Sequence, residues 1–228
     1  MKTKSKSICF GILLIAASVA AHAAQFGDFT YESNDGTVTI TRYTGPGGDV
    51  AIPDTIAGLP VTRIGAWAFS ILTDVTSVAI GKSVTSIDQG GFYGCTALTS
   101  ITVDAMNPVY SSLGGVVFNK NRDTLMLCPY GRAGSYAIPP GVTSIGGSAF
   151  RGCSGLTSVT IGNGVTSIEG GTFAYCTGLT SVTITSGVTN IVTSAFEYCT
   201  GLESIDVDAL NATYSSVGGW FSTRTEIR

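Results

Sequence analysis

One phrase returns five times along this chain, and its spacing decides what the chain can fold into. VTRIGAWAF at 61–69, VTSIDQGGF at 84–92, VTSIGGSAF at 142–150, VTSIEGGTF at 165–173 and VTNIVTSAF at 188–196 begin 23, 58, 23 and 23 residues apart, the 58 being one period plus an insertion of 35. A second phrase follows each at constant distance: VTSVAI at 75–80, LTSITV at 98–103, LTSVTI at 156–161 and 179–184, and LESIDV at 202–207. A fixed period of this length specifies a solenoid, because one coil cannot bury its apolar face alone and is stabilised by its neighbours. SYAI at 135–138 and DVAI at 49–52 fit the second phrase, so seven rungs are expected. Their inward pairs are Val50/Ile52, Val78/Ile80, Ile101/Val103, Tyr136/Ile138, Val159/Ile161, Val182/Ile184 and Ile205/Val207. Rungs stacked at about 4.8 Å would make a solenoid roughly 30 Å long.

Within each coil, Val, Ile, Phe, Cys and Leu supply the inward set, while Gly, Asn, Ser and Thr supply the corners. Phe69, Phe92, Phe150, Phe173 and Phe196 are predicted to stack as one aromatic column. Ahead of the repeats, residues 29–33 and 37–43 flank Asn34-Asp35-Gly36, a tight-turn signal, and read as a β-hairpin covering the first coil.

The joined phrase VTSIGxxAFxxCxxLTSVTI resembles the BspA-like (treponemal-type) leucine-rich-repeat family of bacterial surface proteins, over about Phe26 to Arg228. The segment DAMNPVYSSLGGVVFNKNRDTLMLCPYGRAGSYAIPPG at 104–141 is similar to the hairpin-bearing insert such proteins carry. The resemblance implies secreted or cell-surface proteins, some associated with adhesion. The predicted fold is thus a β-rich solenoid with leucine-rich repeats of about 23 residues, an N-terminal β-hairpin cap and a longer hairpin-bearing insert. Residues 1–23 are assigned to a signal peptide, 24–60 to the cap, 61–207 to the solenoid with its insert unit at 104–141, and 208–228 to an incomplete second insert unit. That last unit repeats the first at an offset of 104, but no returning strand follows Phe221, which leads us to expect an uncovered last coil, self-association through the C-terminal end, or a longer reading frame.

Lys2, Lys4 and Lys6, the 13-residue apolar run Ile8–Ala20 and the small-x-small site Ala21-His22-Ala23 carry the export signal. The run is shorter than the roughly 20 residues of a spanning helix, so no integral membrane segment is expected after signal removal. Cys9 precedes the run, which argues against a lipoprotein acceptor. The only histidine, His22, leaves with the signal, and with it the usual Ser-His-Asp, Cys-His and His-zinc chemistries. Nine of the 12 basic residues remain against all 15 acidic ones, a balance of −6 with the basic residues scattered, which excludes nucleic acid as a partner. No cofactor and no catalytic residue is assigned.

Of the cysteines left, Cys95, Cys153, Cys176 and Cys199 share one repeat position, occupied by Leu72 in the first coil, and Cys128 stands apart. Exchange with leucine points to burial; a Cys176–Cys199 bridge between neighbouring coils and a metal site are the alternatives. Asp206 and Asp208, with Asp104 equivalent to Asp208, would put two carboxylates on one strand face, readable as a calcium site or a solvated edge.

The outward strand row Ala51, Ala79, Thr102, Ala137, Thr160, Thr183 and Asp206 is small and nearly uncharged, unlike protein-binding hot spots, which favour Trp, Tyr and Arg. The Phe-x-x-Cys turns instead offer Trp67, Tyr93, Arg151, Tyr175, Glu197 and Tyr198, the candidate partner-binding edge, although turn residues packing on neighbouring coils would give the same pattern. Function follows as a non-enzymatic exported scaffold binding a protein or glycan partner. The alternatives are a structural, self-assembling envelope protein and a surface-lattice binder using the Ser-x-Thr rows.

Overall fold

The computed structural model describes residues 23–217 and 220–223, with side chains through Ser215. The signal peptide expected at 1–23 lies, but for its last residue, outside the described residues. β1 (Ala24–Phe26), β2 (Phe29–Asn34) and β3 (Thr37–Tyr43) form an antiparallel meander. Its second turn holds Asp35 at φ 50° and Gly36 at φ 76°, the two left-handed residues of a tight hairpin whose twist matches the strands. Thereafter the chain winds, and most coils contribute one strand of four to six residues and one of two.

The first coils comprise β4 (Gly48–Ala51), β5 (Thr55–Ile56), β6 (Leu59–Ile64), β7 (Val75–Ile80), β8 (Ser86–Ile87) and β9 (Ser100–Val103). The insert follows as β10 (Tyr110–Leu113), β11 (Val116–Asn119) and β12 (Thr124–Leu127). The remaining coils comprise β13 (Gly134–Ala137), β14 (Ser144–Ile145), β15 (Leu156–Ile161), β16 (Ser167–Ile168), β17 (Ser181–Ile184), β18 (Asn190–Ile191) and β19 (Ser204–Val207), and the hairpin β20 (Tyr214–Val217) and β21 (Trp220–Thr223) ends the described chain.

All seven expected rungs form, in parallel register, but in two ladders rather than one: β4-β7-β9 and β13-β15-β17-β19. The insert separates them. At the exposed edge of β9, Ile101 N donates to Gly115 O at 2.9 Å and Val103 N to Ser112 Oγ at 3.0 Å, so the hairpin satisfies strand groups that another rung would otherwise take.

The core divides with the ladders. On β11, Val116 and Phe118 enter the C-terminal cluster while Val117 enters the N-terminal one, all three essentially inaccessible to solvent. β12 serves both clusters by a different route: Val117 pairs with Leu127 and Phe118 with Leu125, leaving Met126 as a bulge that turns Leu125 and Leu127 to opposite faces.

The single aromatic column is corrected in the same way. Tyr43, Phe69 and Phe92 stack at 5.3 and 5.1 Å, and Phe150, Phe173 and Phe196 at 4.9 and 5.3 Å, with a break between the two sets. Cys128 occupies the insert's equivalent of the phenylalanine position. Its N–H bonds Ala149 O at 2.7 Å, as Phe69 N bonds Gly91 O at 2.8 Å two coils earlier. A thiol cannot span the distance a ring spans; Phe118 and Tyr136 belong to the same buried cluster, and Tyr136 packs 5.6 Å from Phe150.

Two expectations at the C-terminal end are also corrected. β20 pairs with β21 over four residue pairs, Tyr214 with Thr223 through Val217 with Trp220, the length of the β10–β11 hairpin, so the second strand is present. The hairpin lies against β19 as β10–β11 lies against β9, giving the last rung the cover it was expected to lack. Asp208 lies beyond β19, where its Oδ1 accepts the Leu210 N–H at 2.8 Å; Asp104 does the same for Met106 at 2.7 Å. Both aspartates therefore close turns instead of sharing a strand face with Asp206, and no group of three potential metal ligands occurs among the described residues.

Candidate functional site

The corner after each short strand is held by bonds between coils. Phe69 N and Ile71 N donate to Gly91 O and Tyr93 O at 2.8 and 2.7 Å; Phe150 N and Gly152 N to Thr172 O and Ala174 O; Phe173 N and Tyr175 N to Ala195 O and Glu197 O. The second donor of each pair must turn its N–H towards the next coil, which places it in the left-handed region. Gly94 and Gly152 adopt it at φ 70° and 73°, and Ile71, Tyr175 and Tyr198 adopt it at 60°, 62° and 58°. Glycine does this without strain; a side chain costs roughly 1–2 kcal/mol. Trp67, at φ 62°, makes a similar substitution where the next coil has Gly90 at 74°.

Beneath the corners the thiols form a second ladder. Cys95 Sγ donates to Phe69 O at 2.7 Å, Cys176 to Phe150 O at 3.0 Å and Cys199 to Phe173 O at 3.0 Å, while Cys153 reaches Pro129 O at 3.4 Å. All five described cysteines are buried free thiols. Burial pushes the Cys95 thiol up to about 11. A hydrogen bond shared with Cys128, together with burial, holds Cys153 well above the usual range, and one shared with Cys199 does the same for Cys176. Such thiols are poor nucleophiles.

Above the corners lies the candidate edge. Trp67 and Tyr93 meet edge to face at 5.3 Å, the Arg151 guanidinium sits 4.6 Å over the Tyr175 ring, and Tyr175 stacks on Tyr198 at 4.7 Å. Trp67 and Tyr198 are each 56% exposed, Tyr175 and Tyr93 about 40%. Glu197 is exposed in the turn before Tyr198, and its backbone carbonyl anchors Tyr175. The insert would have split this row, but Tyr130 bridges it, 5.7 Å from Tyr93 and close enough to Gly152 that a Cβ there would strike its ring. Tyr130 escapes a reading based on the period, because the insert breaks the 23-residue count; the signal was Pro129-Tyr130-Gly131 two residues after Cys128's own inward neighbour Leu127.

Beside these rings opens a cleft of about 1060 Å³. Its origin is a shortened corner. Four residues, Gly65 to Ala68, separate Ile64 from Phe69, whereas only Met126 and Leu127 separate Leu125 from Cys128. The short strand β8 pairs with β6 and β12 with β14, but β8 and β12 do not pair, and the Ile87 N–H is satisfied by the Tyr110 hydroxyl at 3.3 Å.

On the strand face, every residue of the outward row is exposed, as its alternation requires. In register, however, Ala51 and Ala79 precede Thr102, and Thr160 and Thr183 precede Asp206, so no row of threonines runs the length of either ladder.

A stack of 23-residue parallel coils with a hairpin insert defines a leucine-rich-repeat protein. The family model for the BspA type leucine rich repeat region matches six copies over residues 50–124 and 132–220, and the chain belongs to that family. Among solved structures, it is similar to a leucine rich cell surface protein from Faecalibacterium prausnitzii A2-165, with 27% identity, a TM-score of 0.51 and coverage of 89% of this chain. It is similar also to the T. pallidum leucine rich repeat protein, with 28% identity, a TM-score of 0.53 and coverage of 82% of this chain and 81% of that one. A leucine-rich repeat protein from Bacteroides ovatus shares the fold at 21% identity and a TM-score of 0.53, over 82% of this chain and 53% of that one. The chain spans 58% of the length of the Faecalibacterium protein. No curated protein matches it.

Proposed function

We propose that this chain is a non-enzymatic repeat scaffold, secreted or displayed at the cell surface, whose corner edge binds a macromolecular partner, protein or glycan. The observation that carries this reading is the left-handed backbone of Trp67, Tyr175 and Tyr198. At the position of Tyr175 and Tyr198 other coils carry Gly94, Gly152 and Ile71, and at that of Trp67 they carry Gly90, Gly171 and Ser148, so these rings sit where glycine would relieve the backbone strain, and they remain about half exposed. Strain held at an exposed, aromatic, arginine-bearing surface is the pattern of a recognition site. Family membership and the cell-surface relative support the location.

The test is a matrix-protein and glycan binding array probed with the chain from residue 24 onward, alongside a Tyr175→Gly/Tyr198→Gly variant. Binding should fall in the variant and persist when Thr160 and Thr183 are changed to alanine. The reverse ranking would move the site to the strand face and overturn the reading.

A further inference from the structure

The cleft beside the corner edge has a definite chemistry. It is lined by the exposed or half-buried rings of Trp67, Tyr93 and Tyr130 together with the partly buried Leu127 and the buried Tyr110. Successive wall rings stand at 73° and 70° to one another, so they bound slots instead of forming one flat platform. Among the described residues, neither the Trp67 indole N–H nor the Tyr93 hydroxyl donates to a protein acceptor. Charge on the two lips is unequal. Asp88 is held by Arg63, whose Nε lies 2.9 Å from both carboxylate oxygens and Nη2 2.8 Å from Oδ1, so that carboxylate is already neutralised. Arg151 on the opposite lip packs on Tyr175 and has no carboxylate partner among the described residues. The lip is thus cationic on a chain with 15 acidic and 12 basic residues.

We propose that this cleft binds a proline-rich, acidic segment of a protein partner in the polyproline II conformation. Such a segment has no internal hydrogen bonds, so its carbonyls are free to accept from the indole and phenol donors, and its rings fill slots between aromatic walls with little entropy to lose. The carboxylate of an acidic residue beside the prolines complements Arg151, whose planar fork favours such a partner. A sugar would need fork-like polar groups aimed at its hydroxyls, and the carboxylate best placed for that is taken by Arg63. This inference rests on the edge being a binding surface and commits it to a protein partner.

Binding to a short synthetic proline peptide carrying one glutamate, measured by calorimetry with the chain from residue 24 onward, tests it. Replacing the glutamate by lysine, or the prolines by glycine and serine, should weaken binding about tenfold or more, and so should Trp67→Gly, which keeps the left-handed backbone. Arg151→Gln should remove the preference for glutamate over lysine, even if Trp67→Gly were to disturb the corner. Equal binding of the glycine-serine peptide, indifference to both substitutions, or an acidic glycan held by the same residues would overturn the proposal. Array binding that depends on Tyr175 and Tyr198 without any binding of the proline peptide would sink this inference and leave the broader reading standing.

Discussion

Asn107 and Asn211, 104 positions apart, make the same four hydrogen bonds. Each is buried, each donates Nδ2 to two carbonyls of the coil before it, Gly81 and Val84 in one case and Thr185 and Val188 in the other, and each accepts two backbone N–H groups on Oδ1. The tyrosine three residues on, Tyr110 or Tyr214, completes the motif by accepting the N–H of Ile87 or Ile191. One short unit thus fastens a hairpin across the end of each ladder.

Substituting Asn107 by leucine strands two carbonyls and two N–H groups in an apolar site. Urea unfolding should show a loss of about 2–4 kcal/mol, since each unsatisfied buried group costs on the order of 1 kcal/mol or more. A loss under about 0.5 kcal/mol would show that water reaches these groups.

At the edge, Tyr175→Gly relieves the left-handed strain but gives up a stacking contact and gains unfolded-state entropy. These effects are each about 1 kcal/mol and oppose one another. Stability of the glycine variant should therefore stay near that of the parent and exceed that of Tyr175→Ala, which keeps the strain without the ring. If Tyr175→Gly instead lost more than about 2 kcal/mol, the ring would be a packing element.

The two ladders should respond separately. Val117→Ala removes a contact from the N-terminal cluster and Val116→Ala from the C-terminal one, although the residues are adjacent on β11. Hydrogen exchange should quicken mainly in β7 and β9 for the first and in β13 and β15 for the second, as expected where each repeat contacts only its neighbours. Uniform acceleration by both would indicate one cooperative core.

Thiol reagents should find none of the five buried cysteines in the native chain from residue 24 onward and all of them after unfolding. The pH dependence has a definite sign. A thiol raised by burial binds its proton more tightly folded than unfolded, so its contribution is complete below the unfolded value of 9.0 and is lost as pH climbs to about 11 for Cys95. Burial likewise lifts Tyr136 to about 12, extending the decline. Stability that rose between pH 9 and 11 would contradict the buried thiol ladder.

Much of the architecture is written locally. Inward residues such as Val159 and Ile161 alternate with exposed Thr160, the 23-residue spacing puts like on like, and Asn34-Asp35-Gly36 specifies its hairpin through backbone chirality alone. Periodicity and turn chemistry depend on near neighbours, so the rung count, the cap hairpin and the inward faces can be read from the chain. The break in the stack cannot. That Cys128 takes a phenylalanine's place, that Met126 bulges to send Leu125 and Leu127 into different clusters, and that Tyr130 joins the exposed rings all depend on which coil the insert lies against. The same holds for Asp208, whose Oδ1 closes a turn just past the end of β19. The repeat determined by itself that the coils would stack, because every coil buries the same apolar set. The tertiary structure alone decided where the stack would part and open a cleft, because a corner two residues short leaves a gap only when coils on either side hold their full length.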